Sequence, residues 1–464
     1  MRWKTTVGLL ILTVGIGTYV SLYELKRPTP EEQVELAKEV VRLPSEDITS
    51  VIVESPQANV SLQRRNDSWH LVSPLAARAD DALVQRLLNE LNPLEAERVL
   101  GGSKATPLSL GEFGLAPPQA RLTAIAGSRT VTVLFGTPTA VGGNRYVTLA
   151  DSSKVLTVSS RLFDALNHPL DAYRSRELLD VDTWSATQIT VASPASSYAL
   201  RKEAQAGRWQ LLEPLVDEAE GAAVSSTLSK LRGLRADRFI TDAPQVEQAA
   251  AWGFDAPSAH ITIALTNKAA PLELFVGKPT TDNPEQRYAK RTDEPTIYAV
   301  TKDRVEALLQ DPQTLRARTV LDFFANQATK VRVRWQDASW TIEKREGTWQ
   351  LADDQQALDG SHVDEWLWKL RDVKLTRFVE DEPQSLSRYG LDPPKGTIQV
   401  WLTDQQQAKE LLIGEAVGQG KARYGRMVGR PGIVELPETL LDLLATNPES
   451  FTAQPPSSQP TSGS

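Results

Sequence analysis

The sequence predicts an α+β protein: three tandem copies of an antiparallel-sheet-plus-helices module after one N-terminal transmembrane helix. Three observations predict it. An uncharged apolar run follows a basic N-terminus. A tryptophan motif recurs at intervals of 140 residues. Within each interval, segments of two-residue period alternate with segments of helical period.

Arg2 and Lys4 precede an uncharged run over residues 5–23. At about 1.5 Å per residue this is long enough to span a bilayer as a helix. The charge bias puts residues 1–4 in the cytoplasm and the bulk of the chain outside. The expected location is the bacterial cytoplasmic membrane, single pass, with a periplasmic or otherwise extracytoplasmic body. The run ends in no small-x-small cleavage site, which favours an anchor over a cleaved signal. Residues 24–44 read as a stalk. Thr29 caps it, Pro30 suits a first helical turn and Glu32 completes a capping box. Val34, Glu35, Leu36, Lys38, Glu39 and Val41 continue a short helix that Pro44 ends.

The repeats follow, over residues 45–179, 180–321 and 322–451. The first landmark is WHLVSPL from Trp69, WQLLEPL from Trp209 and WQLADD from Trp349. The next is FGLAPP from Phe113, WGFDAP from Trp252 and YGLDPP from Tyr389. Then come strands running into Gly136, Gly277 and Gly414, and the pairs Arg145-Tyr146, Arg287-Tyr288 and Arg423-Tyr424. Each copy closes on an amphipathic segment. Landmarks in the same order three times signal internal triplication.

Each copy opens with β-rich alternation leading into its tryptophan, which predicts a hairpin. A helix follows, with one apolar stripe: Leu83, Leu87, Leu88 and Leu91; then Val224, Leu228, Leu231 and Leu234; then Val363, Trp366, Leu367 and Leu370. After the aromatic-Gly turn, short alternating runs predict an antiparallel meander and a final helix. Arg174 and Arg176 align with Arg316 and Arg318 just before each junction and are expected to tie neighbouring modules. The Pro- and Ser-rich residues 452–464 predict a disordered tail.

Composition limits the chemistry. The net charge of −8 argues against nucleic acid, and the absence of cysteine removes disulfides and thiolate chemistry. His70, His168, His260 and His362 fall at non-equivalent places, and no zinc-protease helix, nucleophile elbow or phosphate loop is present. No catalytic residue, cofactor or metal site is therefore assigned. The Arg-Tyr pairs Arg145-Tyr146, Arg287-Tyr288 and Arg423-Tyr424 are candidate recognition residues, since Arg and Tyr favour binding surfaces. Packing is the competing interpretation: Tyr inward, Arg to solvent. Trp69, Trp209 and Trp349 read as core anchors. Trp335 and Trp340 differ by five, so in an unbroken strand they face opposite ways, one of them exposed to a partner or a glycan; a bulkier core is the alternative.

A basic start with one spanning helix, then W-x-L-x-x-P, a helix, [YFW]-G-[LF]-x-x-P, a strand ending in Gly and an Arg-Tyr pair resembles the bacterial domain-of-unknown-function 4340 family. The resemblance runs from about Ser45 to Phe451. It implies a single-span envelope protein beside ABC transporters of the gliding-motility type, with transporter subunits as partners. It carries over no catalytic residues. Three functions stand as expectations: a non-enzymatic scaffold or accessory subunit of a membrane complex, a binder of cell-wall glycan or a small ligand, and an unrecognised hydrolase.

Overall fold

The computed structural model describes residues 38–66, 68–100, 109–205, 207–245, 248–403 and 405–452. The chain forms two compact units, residues 1–176 and 177–464. The expected membrane helix over 5–23, residues 24–37 of the expected stalk and all of the expected tail over 452–464 except Thr452 lie outside the described residues. Among the described residues, no helix is long and apolar enough to cross a membrane.

The first unit contains a nine-stranded antiparallel sheet. Ile48–Glu54, Asn59–Arg65, Ser68–Ser73 and Ala77–Arg78 step outward to one edge. The helix Asp81–Leu91 then carries the chain to the opposite edge, where Arg98–Leu100 lies. Ala120–Ala126 returns to the centre beside Ile48–Glu54. Arg129–Pro138, Asn144–Leu149 and Val155–Ser159 meander back to that far edge. Two further sheets, both in the second unit, repeat this order. One has nine strands, from Ala186–Ala192 to Ile297–Thr301. The other has eight, from Ala328–Trp335 to Ile433–Leu436.

Alternation explains each sheet. Ala259–Leu265 and Gly396–Leu402 bury every second residue, so one face of the sheet receives the helix. Asp81–Leu91 buries Leu83, Val84, Leu87, Leu88 and Leu91; Gly360–Asp372 buries Val363, Trp366, Leu367 and Leu370. Each such side chain contributes about 1.5–3 kcal/mol by leaving water. The helices start where the capping chemistry places them: Asp80 Oδ1 accepts from Leu83 N at 2.9 Å and Asp359 Oδ1 from Ser361 N at 2.8 Å. In all three modules the backbone N–H of the N-cap residue also closes onto the module's C-terminal end. Asp80 donates to Tyr173 O, Glu220 to Leu315 O and Asp359 to Phe451 O, at 2.9, 2.7 and 2.6 Å. Trp69 and Trp349 are buried as expected, whereas Trp209 is only half-buried against its core.

The stalk helix needs correction at its C-terminal end. Glu39–Val41 is a strand, paired antiparallel with Leu94–Glu95 in a separate two-stranded sheet. Val41 and Leu43 are buried in the first module's core, because they meet the end of its long helix, where Asn92 Oδ1 accepts from Leu43 N. The capping signals at Thr29, Pro30 and Glu32 lie outside the described residues; at Val41 and Leu43 burial of the apolar side chains decides the conformation.

Candidate functional site

The three landmarks downstream of the long helix converge on the sheet face away from that helix. In each module the aromatic-Gly loop folds over the glycine of the adjacent strand. A Cβ at Gly136 would run into Phe113 O, at Gly277 into Trp252 O, and at Gly414 into Tyr389 O. The loop glycines Gly114, Gly253 and Gly390 have φ of 67°, 84° and 66°, the left-handed region that favours glycine. The tyrosine of the Arg-Tyr pair then packs on the loop aromatic. Ring centroids are 4.9 Å apart for Phe113 and Tyr146, 5.9 Å for Trp252 and Tyr288, and 5.0 Å for Tyr389 and Tyr424. Three motifs separated in sequence are thus one packing unit.

The arginines of these pairs diverge. Arg145 donates to Gly136 O at 2.6 Å and Gln119 Oε1 at 2.7 Å, and its guanidinium lies 3.5 Å from the Phe163 ring centroid. Burial lowers its pKa, with Asp164 acting in the opposite sense. Arg423 approaches Trp335 at 5.9 Å, and Arg287 is half-buried. The exposure expected of Trp335 or Trp340 is not found: they are 8% and 7% exposed. The strand between them is broken by a turn in which Gln336 has φ of 54°. Trp335 lies opposite Ala338 and Trp340 opposite Val333 in the resulting hairpin, so both rings reach the same face. Trp340 packs against Trp366 and Phe451.

Arg316 and Arg318 do join the second and third modules. Arg316, 1% exposed, donates Nε to Asp217 Oδ2 at 2.8 Å and Nη1 to Asp381 Oδ1 at 2.6 Å. Its guanidinium lies 3.6 Å from the Phe378 ring centroid. Arg430 binds the same Asp217 at 2.7 and 3.1 Å and also donates to Ala317 O and Thr319 O. Arg318 donates to Thr376 O. Two guanidinium groups and two carboxylates thereby balance one another at a largely dry junction.

The second module carries a cleft of 550 Å³, lined by Trp252, Phe254, Phe275, Lys290, Glu294 and Ile297 among others. Strand register builds it. His260 pairs with Phe275, Phe275 with Lys290, and Lys290 with Ile297, so one row crosses four strands on the face away from the helix. His260 stacks on Phe275 with centroids 4.2 Å apart and planes 9° apart. Lys290 Nζ stands 5.4 Å from the Phe254 ring and 5.9 Å from the Phe275 ring. At the rim, Arg291 is paired with Asp293 at 2.5 and 2.8 Å and with Glu294 at 3.3 Å, and Tyr298 donates to Glu294. Burial alone would lower the Arg291 pKa, but these acids outweigh it and raise it. Among the described residues, no three His, Asp or Glu gather as a metal site.

A family model described as "Domain of unknown function (DUF4340)" matches the chain three times, over residues 69–245, 209–360 and 349–456. The chain belongs to the DUF4340 family. Each match starts on one of the repeated tryptophans, and together they span most of the chain. No curated protein and no solved structure matches it. Within the DUF4340 repeats, sequence reasoning missed Phe254, Phe275 and Lys290: Phe254 lies inside the WGFDAP landmark and Phe275 in the strand running into Gly277, where the repeated glycine and aromatic drew the reading, and Lys290 belongs to no landmark. Their signal is departure from the other copies: Leu115 and Leu391 stand at the place of Phe254, and Leu134 and Leu412 at that of Phe275.

Proposed function

We propose that this DUF4340 protein is a non-enzymatic, extracytoplasmic scaffold or accessory subunit of a bacterial membrane complex. On this reading the apolar run over residues 5–23 anchors it, and transporter subunits of the ABC type are its partners. The observation that carries the reading is an exposed aromatic patch on the third module. Phe324 is 52% and Trp368 51% exposed, and the Arg371 guanidinium lies 5.8 and 4.8 Å from their rings. Trp and Arg are the residue types that dominate protein–protein hot spots. Further support comes from the landmarks, whose glycines are taken up in packing each module, and from the ion-paired joint that holds two modules as one body.

The test is crosslinking in intact cells, purification of the tagged full chain from solubilised membranes, and mass spectrometry. Permease or auxiliary transporter subunits are expected to be recovered with the native chain and lost with Trp368→Ala. Recovery of the chain alone, or of the same proteins with and without Trp368, overturns the reading.

A further inference from the structure

We propose that the second-module cleft binds a small amphipathic anion: a planar or aliphatic apolar body carrying one carboxylate or a comparable negative head. The inference is independent of the scaffold reading and concerns a different module.

The cleft has the size of a small-molecule site, since 550 Å³ lies well within the range of about 300–1,000 Å³ in which such sites fall. Its walls are apolar. Trp252, Phe254 and Phe275 are all half-buried, and Trp252 packs on Phe254 while each ring keeps part of its surface open. Trp252 and Phe254 have centroids 6.4 Å apart at an angle of 66°, which makes a corner rather than a stack. A flat apolar body fits against such a corner without disturbing the pairs already formed.

The charge balance supplies the second half. Glu294, the acid that lines the cleft, is paired with Arg291, which also binds Asp293. Lys290 has no carboxylate partner among the described residues. Its ammonium, which carries three donors, instead stands beside two rings. A partly desolvated cation beside an apolar pocket attracts an anion more strongly than one in bulk water. It attracts a neutral ligand much less.

The other copies show that this is not a requirement of the fold. Leu115 and Leu391, in place of Phe254, are each 2% exposed. In the third module Tyr389, Leu391 and Ile433 form a closed apolar cluster, with Leu412 and Tyr424 packed on it. The second module has the same backbone framework, with bulkier rings that do not close over it. Thr148 occupies the Lys290 place in the first copy and Arg426 in the third.

The experiment is calorimetric titration of the full chain with 2-naphthoate and with the isosteric neutral 2-naphthamide, each against a detergent blank. One site per chain is expected, with naphthoate bound at least 10-fold more tightly than the amide. Lys290→Thr should remove that preference while leaving amide binding within 2-fold. Phe254→Leu should weaken both ligands at least 5-fold. Thermal melts of both variants check that the fold is retained. Equal affinity for acid and amide in the native chain overturns the proposal, as does naphthoate binding unchanged by Lys290→Thr. Binding at many sites, or none, overturns it too. Saturable binding of a neutral N-acetylglucosamine oligomer that Phe254→Leu abolishes, without naphthoate binding, assigns the cleft to a glycan and overturns it equally.

Discussion

The second and third modules share a strand order, a helix-covered face and an aromatic-Gly loop, yet differ on the face that the loop covers. In the third, Leu391 and Tyr389 seal against Ile433, and Tyr389 donates to Glu380. In the second, Phe254 and Trp252 remain half-buried around a cleft, although Ile297, the counterpart of Ile433, is itself buried. The difference teaches that the loop is a structural constant whereas its filling is free to vary. The loop is held by backbone geometry, so the side chain two residues beyond its aromatic can change without altering the framework.

The junction between these two modules is where the largest effect is expected. Arg316→Met leaves Asp381 without this partner and Asp217 with Arg430 alone. Breaking a buried ion pair costs about 3–5 kcal/mol, readable by denaturant unfolding. A loss below about 1 kcal/mol would mean that Arg430 holds the joint by itself. The comparison of the loops is sharpened by two truncations. Leu391→Ala opens a cavity in a sealed cluster and should cost about 3 kcal/mol. Phe254→Ala removes a ring already part-exposed and should cost about 1 kcal/mol. Equal losses would break the contrast between closed and open modules.

The shared framework is tested at its glycines. Gly277→Ala and Gly414→Ala each force a Cβ against a backbone carbonyl, and both should lose about 2 kcal/mol from overpacking. A loss in one module only would show that the loops are held differently. The smallest effect is a pH dependence confined to the second module. Burial alone would raise the Asp293 pKa, but the hydrogen bond and charge of Arg291 outweigh it and hold the carboxyl below its usual range. Its folded value therefore lies below its unfolded one. The stabilisation is present above the unfolded value, about 4, and is lost as pH falls through the folded value. Asp293→Asn should flatten that part of the acid-unfolding curve. Met427 replaces Arg291 in the third module, which has no equivalent pair.

Much of the fold was legible in the residues. The repeat landmarks marked three modules, and the helical stripes named the residues that are buried, as in Val363, Trp366, Leu367 and Leu370. Local periodicity suffices there because one helix face meets one sheet face. The Arg-Tyr pairs could be found by repetition, but their role could not, since each tyrosine meets a loop more than 30 residues away. Of the two readings of Trp335 and Trp340 the bulkier core holds and the exposed ring does not, because a turn residue between them restores both to one face. The C-terminal end of the stalk was misjudged for the opposite reason: helical periodicity is local, whereas the core that claims Val41 and Leu43 is not.

The sequence by itself determined the module, its number of copies and the inward face of each helix, because those depend on patterns that a single segment carries. Only the tertiary structure decided that Asp217 meets Arg430 across 213 residues and that His260, Phe275 and Lys290 form one row. Such neighbours are set by strand register and module docking. Those depend on which strands pair, a relation that no local stretch of sequence encodes.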